Sequence, residues 1–349
     1  MREKFTPRAS RLAAGGTTSI TVFRAAVVAL LLIAAPALLD AQRANLRLGT
    51  ILPANSLWDR ALKQMASEWQ QSTDGRVRLQ VRGTTGDEST IIRRMRLNNP
   101  QVAALTLPAL TEIDEAFNVF GIPFFFADDG EAQHVLDALT PRMRDALAEN
   151  GLVLIGWGHG GWVHVFSADP VTDIGGLRRA KLFTAAGDDG MVQWYKENGF
   201  NPVPLALTDV LMGLNTGLID AYPSPPYGAL VFQWYRQTSN MLDIPLGPVY
   251  GATVITQRAW DRIDEADRAA IRGSAEKMAD FLFTEVLRQD RDAVAEMQKR
   301  GLTVHSVSSA EASAFRAVSE DLTASWRGTR VPADVYDEAV RARSEYRNQ

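Results

Sequence analysis

Few side chains in this 349-residue sequence could do chemistry, and their spacing favours holding a molecule over transforming one. The histidines, His134, His159, His164 and His305, form no HExxH pair, and without cysteine a zinc site would need scattered ligands. No metal site and no cofactor is expected. There is no GxxxxGK[ST] loop for nucleotide phosphates and no GxSxG elbow for a nucleophilic serine. Asp188 and Asp189 stand side by side, whereas an acid–base pair needs its carboxylates across a cleft. They read more simply as a helix cap, and no catalytic residue is assigned. What does accumulate is aromatic and small polar groups at the ends of expected strands: Trp157, Trp162, Phe183, Tyr222, Ser224, Tyr227 and Trp234. Small-molecule pockets are mostly apolar with a few aimed polar groups, and Trp58, Thr106, His164 and Asp188 complete the expected ligand set. Taken singly, each aromatic has a core reading, and His164 reads equally as a ligand donor or a structural histidine.

The elements that must position these groups are clearest over residues 181–235. Leu182 and Phe183 open a strand, Asp188 or Asp189 can cap the following helix, and Gly199 stops it in a left-handed turn. Residues 203–205 form the next strand. Thr208 caps a second helix whose Val210, Leu211 and Leu214 point inward, and Gly217 closes it. Residues 218–222 are a third strand, halted by Pro223, Pro225 and Pro226, which cannot donate to a ladder. This β-α-β-α-β order predicts an α/β fold whose ligand sites lie beyond the ends of parallel strands. Upstream, a strand at 46–52 leads to a helix capped by Ser56, with Trp58, Leu62, Met65 and Trp69 on one face. Residues 76–82 alternate Val77, Leu79 and Val81 with arginines, a strand with a solvated face or a docking patch. Asp87 and Glu88 lead into a helix, and 102–107 is an apolar strand. Helix at 130–150 and strand at 152–157 precede a glycine-rich turn ending at Gly161, where the chain is expected to cross between lobes. Residues 264–300 predict one very long helix with Ile271, Ala275, Met278, Leu282 and Val286 on one stripe.

Length allows two domains with substantial cores. Residues 1–41 read as an export signal: a basic leader ending at Arg24, an uncharged run at 25–39, and small Ala41 as cleavage point. That run is short of the ~20 residues a spanning helix needs, although an uncleaved anchor is the other reading. Taking the leader's five cations and two anions from the whole chain's −4 leaves −7. So acidic a body, with no basic stripe, argues against nucleic acid as a partner.

The chain resembles the solute-binding proteins of tripartite ATP-independent periplasmic (TRAP) transporters, the DctP family. The resemblance rests on Gly176-Leu177, Gly199, Pro202-Val203-Pro204-Leu205, Asp209-Val210, Leu214-Asn215-Thr216-Gly217-Leu218-Ile219-Asp220 and Gln233-Trp234-Tyr235, with the Pro123-Phe124-Phe125-Phe126 stretch upstream. It implies a two-lobe periplasmic-binding-protein fold with an interlobe cleft, crossing strands and one long bracing helix. Lobe 1 is expected at 42–163 plus 251–290 and lobe 2 at 164–250 plus 291–349, hinged near 162–166 and 250–254. It further implies a periplasmic protein without catalysis that captures an organic solute, an organic acid or a less charged aromatic or apolar one. TRAP membrane permease subunits would be the partners. The rivals are the same module serving a sensor, or a periplasmic enzyme. At the positions of Trp162 and Phe183 the family typically has arginines that clamp a carboxylate. Here both are aromatic, which implies a less charged pocket; the other reading has Lys181, Arg178 or Arg179 reach in as substitutes, against strand alternation and exposure.

Overall fold

The computed structural model describes residues 43–83 and 87–349, so the expected export segment at 1–41 lies outside the described residues. The first part runs β1 (Ala44–Thr50), α1 (Leu57–Ser72), β2 (Val77–Gly83), α2 (Glu88–Met95), β3 (Val102–Thr106), α3 (Leu107–Ile113), α4 (Asp129–Glu149) and β4 (Leu152–Trp162). The middle runs β5 (His164–Ser167), α5 (Ile174–Arg179), β6 (Lys181–Ala185), α6 (Asp189–Glu197), β7 (Asn201–Leu205), α7 (Val210–Asn215), β8 (Ala221–Ser224), α8 (Pro226–Val231) and β9 (Asn240–Asp243). The chain ends with β10 (Pro248–Thr256), α9 (Gln257–Trp260), α10 (Glu265–Lys299), β11 (Thr303–Ser306), α11 (Ser309–Thr323) and α12 (Ala333–Arg347). No described helix is long and apolar enough to cross a membrane.

These elements follow local chemistry. Ser56 caps α1 by accepting from Asp59 N, and Asp188 caps α6 by accepting from Met191 N. Gly199 and Gly217 follow α6 and α7 at φ +78° and +67°, a conformation that glycine adopts without strain. On α1, Leu62, Met65 and Trp69 are fully buried, and on β2 Val77 and Leu79 are buried between exposed Arg78 and Gln80.

Two sheets result, ordered β2-β1-β3-β10-β4 and β11-β9-β5-β8-β6-β7. β1 runs parallel to β2 and β3, and β6 parallel to β7 and β8; β10 and β5 return antiparallel. Each sheet heads one lobe. Between them β4 passes into β5 while β9 returns to β10, and the two crossings bond to each other: Val163 N to Gly247 O and Leu246 N to Val163 O, both at 2.9 Å. The return crossing is thus centred at 244–247, ahead of the expected 250–254, because β10 is already bound into the first sheet from Pro248.

The long helix is the brace. Its 35 residues span roughly 52 Å at ~1.5 Å each. Near its start Asp267 receives a bidentate bond from Arg76 of the first lobe at 2.8 and 3.0 Å. Past its middle Asp290 accepts from Tyr227 N at 2.8 Å and Trp162 N at 3.4 Å. Just beyond its end Arg300 donates to Tyr235 of the second lobe at 2.5 Å. One rigid element thus touches both lobes and the crossing.

Three expectations change. Thr208 does not cap α7: a short 3-10 turn at Leu207–Asp209 leads into it, and Asp209 occupies the cap position without a side-chain bond. Pro223 does not halt its strand, since β8 runs through it to Ser224. β6 pairs with β8 only at Ala221, and the strand continues through the proline along β5, where Val165 stands opposite Pro223. The tail at 291–349 divides between lobes. β11 joins the second sheet, but α12 packs on α4, burying Val335, Ala339 and Ala342 among Leu136, Leu139 and Met143 of the first lobe. That stripe has the spacing of one helix face, but nothing in it says which lobe will cover it.

Candidate functional site

A cavity of about 400 Å³ lies between the lobes. It is built where parallel strands finish. Ile51 and Leu52 follow β1, Glu88 follows β2 and Thr106 ends β3; opposite them stand Ala185 of β6, Leu205 of β7 and Ser224 of β8. The walls are largely hydrocarbon. Trp58 enters from α1, its indole donating to His159 O at 3.2 Å, and Phe183 and Trp234 meet edge to face at 6.1 Å on the second lobe. Met278 and Leu282 of the bracing helix close another side.

The polar groups fall into two sets. Carboxylates come from Asp87, Glu88, Glu112 and Asp188. Asp87 is held by capping α2, and Asp188 by capping α6 and pairing with Arg330 at 3.2 Å. Arg330 in turn bonds Asn118 of the first lobe and lies over Trp326. Glu88 accepts from Thr106 N at 2.8 Å, and its other oxygen is bonded to the Thr106 hydroxyl. Burial pushes the Glu88 carboxyl up to about 7; the Thr106 bonds oppose this, and the nearby Glu112 and Asp87 charges add to it. The second set is neutral: Thr184, Tyr250 and His159 wall the cavity, and Thr184 Oγ1, the Tyr250 hydroxyl and His159 Nε2 are buried without a hydrogen-bond partner among the described residues. Burial pushes His159 down to about 4 against the pull of Asp129, so the 3.9 Å approach of those two is no ion pair at neutral pH. Among the described residues, no three of His, Asp or Glu come together to hold a metal ion.

Of the eleven expected ligand residues, Trp58, Thr106, Phe183, Asp188, Ser224 and Trp234 wall this cavity. Five do not. Trp157 turns to the other side of β4, donates to Thr140 Oγ1 at 2.9 Å and packs on Phe117 and Phe120. Trp162 also turns away, its indole donating to Asp129 at 2.5 Å; neighbouring residues on a strand face opposite ways, and Val163 takes the cavity side. His164 packs against Leu242 O at 3.3 Å, and burial lowers its pKa, the structural alternative of its two readings. Tyr222 is fully buried, stacked on Phe166 and bonded to Thr238 at 3.0 Å. Tyr227 stands behind the wall: its hydroxyl accepts from Leu57 N at 2.8 Å and its ring backs Trp58.

Sequence reasoning missed Glu88, Glu112, His159 and Tyr250. Glu88 carried a usable signal, an acid opening a helix just after a parallel strand; Tyr250 carried none, since it reads as strand core.

Comparison with known proteins gives one family. A model of the bacterial extracellular solute-binding proteins, family 7 (DctP), matches residues 48–328. A solute-binding protein of Chromohalobacter salexigens is 29% identical over 233 residues, 63% of this chain and 66% of that relative. The crystal structure of a TRAP periplasmic solute-binding protein from the same organism, with bound D-glucuronate, superposes with a TM-score of 0.78 at 23% identity, covering 86% of this chain and 99% of the other. One from Xanthobacter autotrophicus, with bound β-D-galacturonate, gives 0.78 at 20% identity over the same shares of each chain.

Proposed function

The chain belongs to the DctP family of bacterial extracellular solute-binding proteins, and from that premise we propose that it captures an organic solute in the cavity between its lobes and delivers it to a TRAP-type membrane permease. The observation that carries this is the cavity itself: both sheets contribute strand ends to it, and the two lobes are joined by two hydrogen-bonded crossings, the arrangement a hinge closure needs. In this reading residues 1–41 direct export to the periplasm, and the lobes are 43–163 with 248–290, and 164–247 with 291–323, the C-terminal helix riding on the first. Trp58, Phe183 and Trp234 supply desolvated contact area, while Thr106 and Ser224 sit among the polar groups. Specificity comes from those polar groups, because a solute that fails to match them leaves them buried and unpaired. The reading assigns the protein no catalysis. Relatives crystallised with sugar acids support a guest of that size.

The test is a thermal-shift screen of small organic solutes with the purified protein, followed by calorimetry on each hit. A guest at 100 times its Kd stabilises the folded state by about 2.7 kcal/mol. One-to-one binding that is lost when Phe183 is replaced supports the proposal; turnover of the bound solute would contradict it.

A further inference from the structure

The charge of the cavity wall narrows the guest further. Among the described residues, no lysine or arginine walls the cavity; the Arg330 guanidinium behind it bonds Asp188 and Asn118 through one terminal nitrogen and lies over Trp326, while its Nε is buried without a hydrogen-bond partner. Of the two positions the resemblance marks for cations, Phe183 on β6 presents hydrocarbon to the cavity, and Trp162 turns away to Asp129, leaving Val163 on the cavity side. A carboxylate guest would shed its water with no cation to offset the loss, and it would meet the like charges of Asp87, Glu88 and Glu112. An ammonium group finds the reverse. Glu88 uses one acceptor position on each oxygen for Thr106, and a carboxylate has about four. Aromatic rings also attract cations through their faces. A second, independent feature points to a guest: the Thr184 hydroxyl, on a cavity-lining residue at 6% exposure, is unpartnered; the equally unpartnered Tyr250 hydroxyl and His159 Nε2 stand near Asp129 of α4, which does not wall the cavity.

We propose, resting on the solute-binding reading above, that the guest is an organic amine: a protonated nitrogen bonded to Glu88, on an apolar or aromatic body seated among Trp58, Phe183 and Trp234. The family fold is thereby turned from the acids bound in its crystallised relatives to cations. The sign of the pH response follows. Glu88, held at about 7 in the free protein, must ionise to take an ammonium, so amine affinity rises with pH through 7 and levels off above it. A carboxylate guest would need Glu88 protonated, and its affinity would rise as pH falls. The groups facing Glu88 are Asp87 and Glu112, both acids; His159, uncharged above about pH 4, and the Arg330-paired Asp188 wall other parts of the cavity.

The experiment uses three probe series on matched skeletons, phenylethylamines, phenylethanols and phenylpropanoates, with D-glucuronate added. Each is measured by thermal shift and calorimetry from pH 5.5 to 8.5 on the purified protein. Amines alone binding, with affinity climbing through pH 7, is the expected result. Glu88→Gln should then weaken the amine about tenfold or more and flatten its pH profile. If that variant does not fold, the wild-type slope still decides. Binding only by the carboxylates, glucuronate or the alcohols overturns the amine assignment and leaves solute capture standing. Silence across all series, with no small molecule co-purified, overturns solute capture and the amine with it.

Discussion

Asp290 offers the sharpest test of how the brace holds the crossing. Its carboxylate is 9% exposed, accepts from Tyr227 N and Trp162 N, and abuts Gly161. Burial pushes its pKa from 3.8 up to about 7, with the two backbone bonds opposing and the Asp129 charge adding. A folded-state pKa raised in this way means the group's contribution is complete below about 4 and is lost as pH climbs to 7. At ~1.4 kcal/mol per tenfold, moving from pH 5 to pH 8 therefore removes about 3 kcal/mol from the wild type through this group. Asp290→Asn carries no charge at any pH. Its amide turns one donor toward a backbone N–H, at a cost of about 1–3 kcal/mol that does not vary with pH. The stability of the variant relative to wild type should thus improve by about 3 kcal/mol between the two pH values. Urea unfolding of both proteins at pH 5 and pH 8, at fixed ionic strength, reads this directly, because other titrating groups cancel in the difference. A difference that stays flat, or moves the other way, refutes the claim that Asp290 is a buried, poorly compensated acid at the crossing.

The other consequences are more local. Gly161→Ala would place a Cβ 2.1 Å from Asp290 Oδ2 in a residue at φ +95°, and should lower the urea-derived stability by about 3 kcal/mol or more. Trp162→Phe removes the indole bond to Asp129 and should cost about 1 kcal/mol of stability while leaving solute affinity, read by calorimetry, unchanged. Phe183→Ala strips a ring from the wall and should weaken any bound solute about tenfold or more. Tyr227→Phe leaves Leu57 N buried without its acceptor and should lower the unfolding midpoint by the equivalent of about 1–2 kcal/mol.

The lobe around β6, β7 and β8 was legible because its apolar strands, the Asp188 cap and the glycine stops at Gly199 and Gly217 agree with one another. The same strand-end logic picked out Phe183, Ser224 and Trp234, which wall the cavity, since a ligand site beyond parallel strands is a property of topology. It failed on Trp157 and Trp162 for a physical reason. β4 carries Gly156, Gly158, Gly160 and Gly161, which give no apolar alternation to fix its faces, and its ladder with β10 shifts register between Pro248 and Tyr250 and between Thr253 and Val254. A one-residue slip reverses every side chain beyond it. Tyr222 misled because an aromatic near a strand end resembles a pocket wall until Phe166 is seen stacked on it. Glu88 was read only as a helix start, because its burial depends on Thr106, 18 residues away.

The central claim is that the two lobes enclose a small organic guest against Trp58 and Phe183. Native mass spectrometry of the protein isolated from its exporting cells, beside a Trp58→Ala/Phe183→Ala variant prepared identically, tests it most directly. The account predicts a one-to-one adduct of a single small organic mass on the wild type that is lost or sharply depleted on the variant. An adduct retained equally by both, or a wild type that carries no guest and takes up none from a solute library, would contradict it.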